Sequence, residues 1–184
     1  MIVCVRKCQF SLGGAACLIA GLVLAGSSCV DPVVDEAIEA LGPEQAKVPP
    51  GPLHRPGQPC VVCHNDESGE AGPFTLAGTV YLDALSNTPV GDVQVTIIDS
   101  KANSFTSTTN CAGNFFVRPS QFVPVYPYWV EMNAGKVYRS MDTPSFREGS
   151  CSGCHADPKG PSSAGHVYLI DDPENEKPPP SQCP

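Results

Sequence analysis

The pattern Cys-x-x-Cys-His occurs twice, as Cys60-Val61-Val62-Cys63-His64 and as Cys151-Ser152-Gly153-Cys154-His155. No other feature of the 184 residues constrains the fold as strongly, because each pattern commits two thiols and an imidazole to one turn and the chain between must present both. At this composition a chance match is expected about 0.01 times per chain, so a second match is not an accident of cysteine content.

The residues between the two patterns carry short strand signals separated by turns. Phe74 to Tyr81 is mostly strand-forming, Asn87 to Asp92 turns the chain, and Val93, Val95 and Ile97 then share one face. Ser104 to Thr109, Phe115 to Val117, Val125 to Met132, Lys136 to Ser140 and Val167 to Ile170 continue the series. Twenty prolines and seventeen glycines argue against long helices, while 41% hydrophobic and 16% charged residues suit a globular core. The expected class is mainly β: a small antiparallel, Ig-like β-sandwich over residues 60–170, with the two motif-bearing loops at its N- and C-terminal flanks.

Three pieces of this region, Gly78-Thr79-Val80, Pro89-Val90-Gly91-Asp92-Val93-Gln94-Val95, and Thr108-Thr109 followed by Gly113-Asn114-Phe115, resemble the carboxypeptidase regulatory-like (transthyretin-like) domain over roughly residues 74–140. The resemblance implies a scaffold and brings no catalytic residue. The two Cys-x-x-Cys-His patterns themselves match the attachment motif of c-type haem, in which both thiols add to the porphyrin vinyl groups and the histidine is aimed at the iron. That match makes the chain similar to a dihaem c-type cytochrome, with two covalently bound haems, at Cys60, Cys63 and His64 and at Cys151, Cys154 and His155. A four-thiolate zinc site is the competing use of two such pairs.

Of four histidines, two remain, His54 before the first motif and His166 after the second. Each stands on a Pro- or Gly-containing loop long enough to wrap a haem edge, so they are the expected sixth ligands, with an exchange of partners also open. Met132 and Met141 compete for the role, although methionine at strand positions is more often core filler. With both axial sites taken, the iron would pass electrons rather than bind oxygen. Nothing in the sequence resembles a nucleophile–base pair or paired catalytic carboxylates, so no enzymatic activity is expected.

Arg6 and Lys7 precede an apolar, small-residue run that ends in Ala25-Gly26-Ser27-Ser28-Cys29, the make-up of a secretory signal over residues 1–28, with an uncleaved membrane helix as the alternative. Cys29 in that place resembles the acylated cysteine of bacterial lipoproteins. Lipidation there would leave Cys111 and Cys183 as an even pair, suited to a disulfide in an oxidising compartment. A lipid-anchored, Pro-rich linker is expected over 29–59, with one or two helical turns near Val33 to Leu41 and an extended spacer from Gly42 to Pro59. An acidic, Pro-rich tail is expected over 171–184.

Nineteen acidic against eleven basic residues exclude a nucleic-acid surface and favour a basic partner. The expected function is electron transfer in the bacterial cell envelope, lipid-anchored and facing the periplasm or the cell exterior, with other redox proteins or cytochromes as partners. The reading from a different class is an envelope binding module of sandwich fold in which the motifs hold a structural haem or metal.

Overall fold

The computed structural model describes residues 31–44, 48, 50–66, 72–147, 149–156 and 161–177. The expected secretory signal over 1–28, Cys29 and Cys183 lie outside the described residues. Among those described, no helix is long and apolar enough to cross a membrane.

Every patterned run becomes a strand: β1 Leu76–Asp83, β2 Gln94–Asp99, β3 Ser104–Thr108, β4 Asn114–Val117, β5 Tyr128–Ala134, β6 Val137–Ser140 and β7 Val167–Ile170. Three helices accompany them: α1 Pro32–Ala40, and the single turns α2 Cys60–Cys63 and α3 Cys151–Cys154. The strands form two sheets, in the orders β4-β1-β7 and β3-β2-β5-β6. The chain is therefore mainly β, with one core drawn from both sheets.

Alternation explains which side chains enter that core. In β2, Val95 and Ile97 are fully buried and pair across the ladder with Met132 and Val130 of β5, while Gln94 is exposed. From the other sheet come Leu76 and Val80 of β1, Phe115 and Val117 of β4, and Leu169 and Ile170 of β7. Each such side chain contributes roughly 1.5–3 kcal/mol by leaving water. Met132 belongs to this core and Met141 packs against it.

One strand pairing departs from an antiparallel sandwich. β1 pairs antiparallel with β4, but β7 runs parallel to β1, with Val80 opposite Val167. A hairpin delivers only antiparallel neighbours, whereas here the chain returns through 141–166, α3 included, before it enters β7.

β1 is buried over six successive residues rather than on alternate ones. Its second face is covered by the motif-bearing segments: the Gly57 N–H donates to Thr79 Oγ1 at 2.7 Å, and the His166 ring lies 4.5 Å from that of Tyr81. The segment 50–58 is accordingly not the extended spacer expected of a Pro-rich run. It makes successive turns and returns onto the sandwich, because side chains of the β-domain satisfy its backbone: Asn110 and Asn114 donate to Pro52 O, and Asn114 also to His54 O. Similarly, the first part of the acidic tail is tied to β6, through ion pairs of Arg139 with Asp171 and Glu176.

The loop after β2 is organised by Asp99, whose carboxylate accepts from the N–H groups of Lys101, Asn103 and Val125 and from the Asn103 amide. Burial opposes its charge, but these hydrogen bonds outweigh burial and hold the carboxyl below its ordinary range. A depressed folded-state pKa contributes stability that is fully present above the unfolded value of about 3.9 and is lost as pH falls through the folded value. Asp99→Asn should therefore lower stability at neutral pH, with the deficit vanishing in acid. Urea unfolding of both proteins across that range measures it, and a deficit independent of pH would show that the charge plays no part.

Candidate functional site

The two motifs adopt the same local form although their inner residues differ. In each, the Cys-x-x-Cys segment makes one helical turn, and the histidine N–H donates to the first cysteine's carbonyl, His64 to Cys60 at 2.9 Å and His155 to Cys151 at 2.8 Å. In each, the ring Nδ1 then lies against a carbonyl of the following loop, Gly72 O at 3.2 Å and Gly165 O at 2.9 Å. A carbonyl only accepts, so Nδ1 carries the proton and the neutral ring keeps its lone pair on Nε2. Orientation of a ligating imidazole through its other nitrogen is the usual arrangement around a metal.

Around the first motif lies a cavity of about 260 Å³, lined by Cys60, Cys63, His64, His54 and aromatic side chains. Small-molecule pockets run to roughly 300–1,000 Å³, so this one falls just below that range. His64 stacks on Phe74 at 4.0 Å and 11°, and Phe74 on Phe116 at 4.8 Å, which walls off one side with apolar surface. The Arg118 guanidinium sits over both phenylalanines, 5.4 and 5.9 Å from their centroids. Burial pushes the Cys60 thiol up to about 11. Burial also lowers His64, and its electrostatic interactions with neighbouring His54 and Arg118 act in the same direction, against the Gly72 hydrogen bond. Two thiols, two imidazoles, aromatic walls and two guanidinium groups, Arg55 and Arg118, are a donor set that fits a covalently attached porphyrin with carboxylate edges.

The second motif has the same donors without the enclosed space. Cys151, His155 and His166 meet with Tyr81 and Thr79 around a void of only about 10 Å³, and Cys154 is exposed. Cys151 packs tightly on β1, where a Cβ on Gly78 would stand 2.7 Å from its Sγ, so only glycine leaves room. The donor chemistry fits the same group here; the cradle does not match that of the first site.

His54 therefore falls to the first motif and His166 to the second, and the exchanged arrangement is not the one the fold brings together. The His54 and His64 rings are 5.9 Å apart and 19° from parallel. Neither spare histidine is held as the motif histidines are. His54 Nδ1 accepts from Gly51 N–H at 3.3 Å, and His166 Nε2 donates to Asp83 O at 2.9 Å. Ligation through Nε2 would require each to give up that bond, which costs less for the longer one at His54.

The two thiol pairs stand at separate sites, and among the described residues no three His, Cys, Asp or Glu side chains gather to hold a single metal ion. Cys111 is disulfide-bonded, while Cys60, Cys63, Cys151 and Cys154 form no disulfide; the expected partner of Cys111, Cys183, lies outside the described residues. The residues that sequence reasoning missed are Phe74, Phe116, Arg118, Tyr81 and the Thr79–Asn114 pair. Phe74, Thr79, Tyr81 and Phe116 lay in strand patterns, Asn114 in a turn and Arg118 just past a strand pattern, and only the tertiary fold turns them toward a motif.

Comparison of the chain with protein-family models, with curated proteins and with solved structures gives no match.

Proposed function

We propose that this chain is an electron-transfer protein of the bacterial cell envelope that carries two covalently attached haem c groups, the first at Cys60, Cys63 and His64 and the second at Cys151, Cys154 and His155. The observation that carries the proposal is the shared geometry of the motifs: two different sequences fold into one turn and leave each histidine with Nδ1–H bonded to a carbonyl and Nε2 free. A haem held by these residues supplies a one-electron iron couple. The chain supplies the rest. The thiols fix the group, the Gly72 and Gly165 carbonyls hold the imidazoles in the ligating tautomer, and Phe74 and Phe116 exclude water from the first site. His54 and His166 are the proposed sixth ligands, a pairing that closes both irons to small molecules and favours transfer over oxygen or peroxide chemistry. Anchoring by lipid at Cys29 and exchange with other redox proteins complete the proposal.

One observation favours a binding module instead. Trp129 and Tyr138 are exposed on β5 and β6 of the four-stranded sheet. A pyridine haemochrome spectrum of protein exported from a cytochrome-maturing host, followed by cycling with dithionite and ferricyanide, separates the readings. A c-type spectrum with reversible reduction and no shift on CO supports electron transfer. Absence of haem supports the binding module, and a CO shift at both irons would require open coordination sites.

A further inference from the structure

Resting on the haem reading of the first motif, we infer that Asn114 and Thr79 are positioning residues that hold the His54 loop over the first cavity and so determine whether His54 reaches the iron. Four hydrogen bonds join the three segments. Thr79 Oγ1 donates to Asn114 Oδ1 at 2.6 Å and accepts from Gly57 N–H at 2.7 Å. Asn114 Nδ2 donates to His54 O at 3.0 Å and to Pro52 O at 3.2 Å. Every atom has one consistent role: the single hydroxyl proton goes to the amide oxygen, and the two amide protons go to two carbonyls. Thr79 and Asn114 are both buried, 5% and 6% exposed, so an unmade bond there would not be replaced by water.

The placement of these bonds gives them their function. They grip the backbone on both sides of His54, at Pro52, His54 and Gly57, and none touches the imidazole. The ring itself has one hydrogen bond, 3.3 Å from Gly51 N–H to Nδ1, and lies beside the His64 ring, so it can re-aim while its Cα stays fixed. Asn114 itself lines the first cavity together with His54, Cys60 and His64. Two residues opposite each other in neighbouring strands, Thr79 of β1 and Asn114 of β4, thus carry the position of a ligand loop that is remote in sequence.

The test uses full-length, haem-loaded protein. Asn114→Asp keeps size and the acceptor for Thr79 but removes both donors, and Thr79→Val keeps shape but removes the hydroxyl. Both should retain attachment at Cys60 and Cys63 by peptide mapping. Electron paramagnetic resonance should show about half of the low-spin signal converted to high spin, as one of two irons loses an axial ligand. Millimolar imidazole should restore it. His54→Ala should give the same spectrum, and adding Asn114→Asp to it should change nothing further. Full low-spin signal in both single variants, or an additive change in the His54→Ala background, overturns the inference. So does an unaltered spectrum in His54→Ala, which would leave the two-haem reading intact. A parent protein with no adduct on Cys60 and Cys63 would instead defeat that reading and the inference with it. Should Asn114→Asp not accumulate, Thr79→Val decides, because it changes only the hydroxyl and so removes the bonds to Gly57 and Asn114 with little change of shape.

Discussion

The exported chain should gain the mass of two haem groups, and replacing either cysteine pair with serine should remove one of them. Cys60→Ser with Cys63→Ser and Cys151→Ser with Cys154→Ser are expected to behave alike in mass and differently in stability. The first pair faces a cavity of about 260 Å³ with aromatic walls, and a group attached there buries its apolar surface against those walls only in the folded state. Emptying it should cost ~2 kcal/mol or more, which for a domain of this size lowers the melting temperature by about 10 °C. The second pair borders a void of about 10 Å³, so its loss removes an adduct with little change in melting temperature. Intact mass and thermal unfolding of the two variants check both parts. A single adduct in the parent would restrict the proposal to one motif, and equal thermal shifts would show that the two sites are equally enclosed.

Gly113→Val should be the most damaging single substitution in the β-domain outside the motifs. Gly113 has φ of +70° in the turn before β4, and a Cβ there would stand 2.4 Å from Val80 O and 3.1 Å from Pro89 Cβ. The turn cannot shift to relieve this, because Asn110 Oδ1 accepts from the N–H of Ala112 and of Asn114, and Gly113 O accepts from Val80 N. A left-handed conformation costs a side chain about 1–2 kcal/mol and overpacking a further 1–3, so a loss of ~3 kcal/mol is expected, more than Gly113→Ala alone would cause. Denaturant unfolding measures it. Because Asn114 follows directly, the same variant should also loosen the His54 loop, visible as faster amide exchange over residues 51–58. A stability close to wild type would mean that the turn has another conformation available.

The strands were legible in the sequence because their signals are local. Val93, Val95 and Ile97 alternate whatever they pair with, and Gly113 and Gly135 mark turns by conformational freedom alone. The motif chemistry was legible for the same reason: two cysteines and a histidine within five residues share one turn of chain, and both motifs accordingly fold alike. What the sequence left undetermined depends on which distant segments meet. The parallel pairing of β7 with β1 joins segments far apart in the chain, which no periodicity records. The proline-rich stretch before the first motif carried the signal of an extended spacer, since prolines favour one locally. Tertiary structure decided otherwise, because Asn110, Asn114 and Thr79 supply partners for the backbone of 52–57 that an isolated segment would find only in water. The two motifs looked equivalent in one dimension. They differ in the fold because Phe74 and Phe116 wall the first, while Gly78 and Tyr81 of β1 close tightly on the second, and enclosure is a property of packing that no five-residue pattern contains.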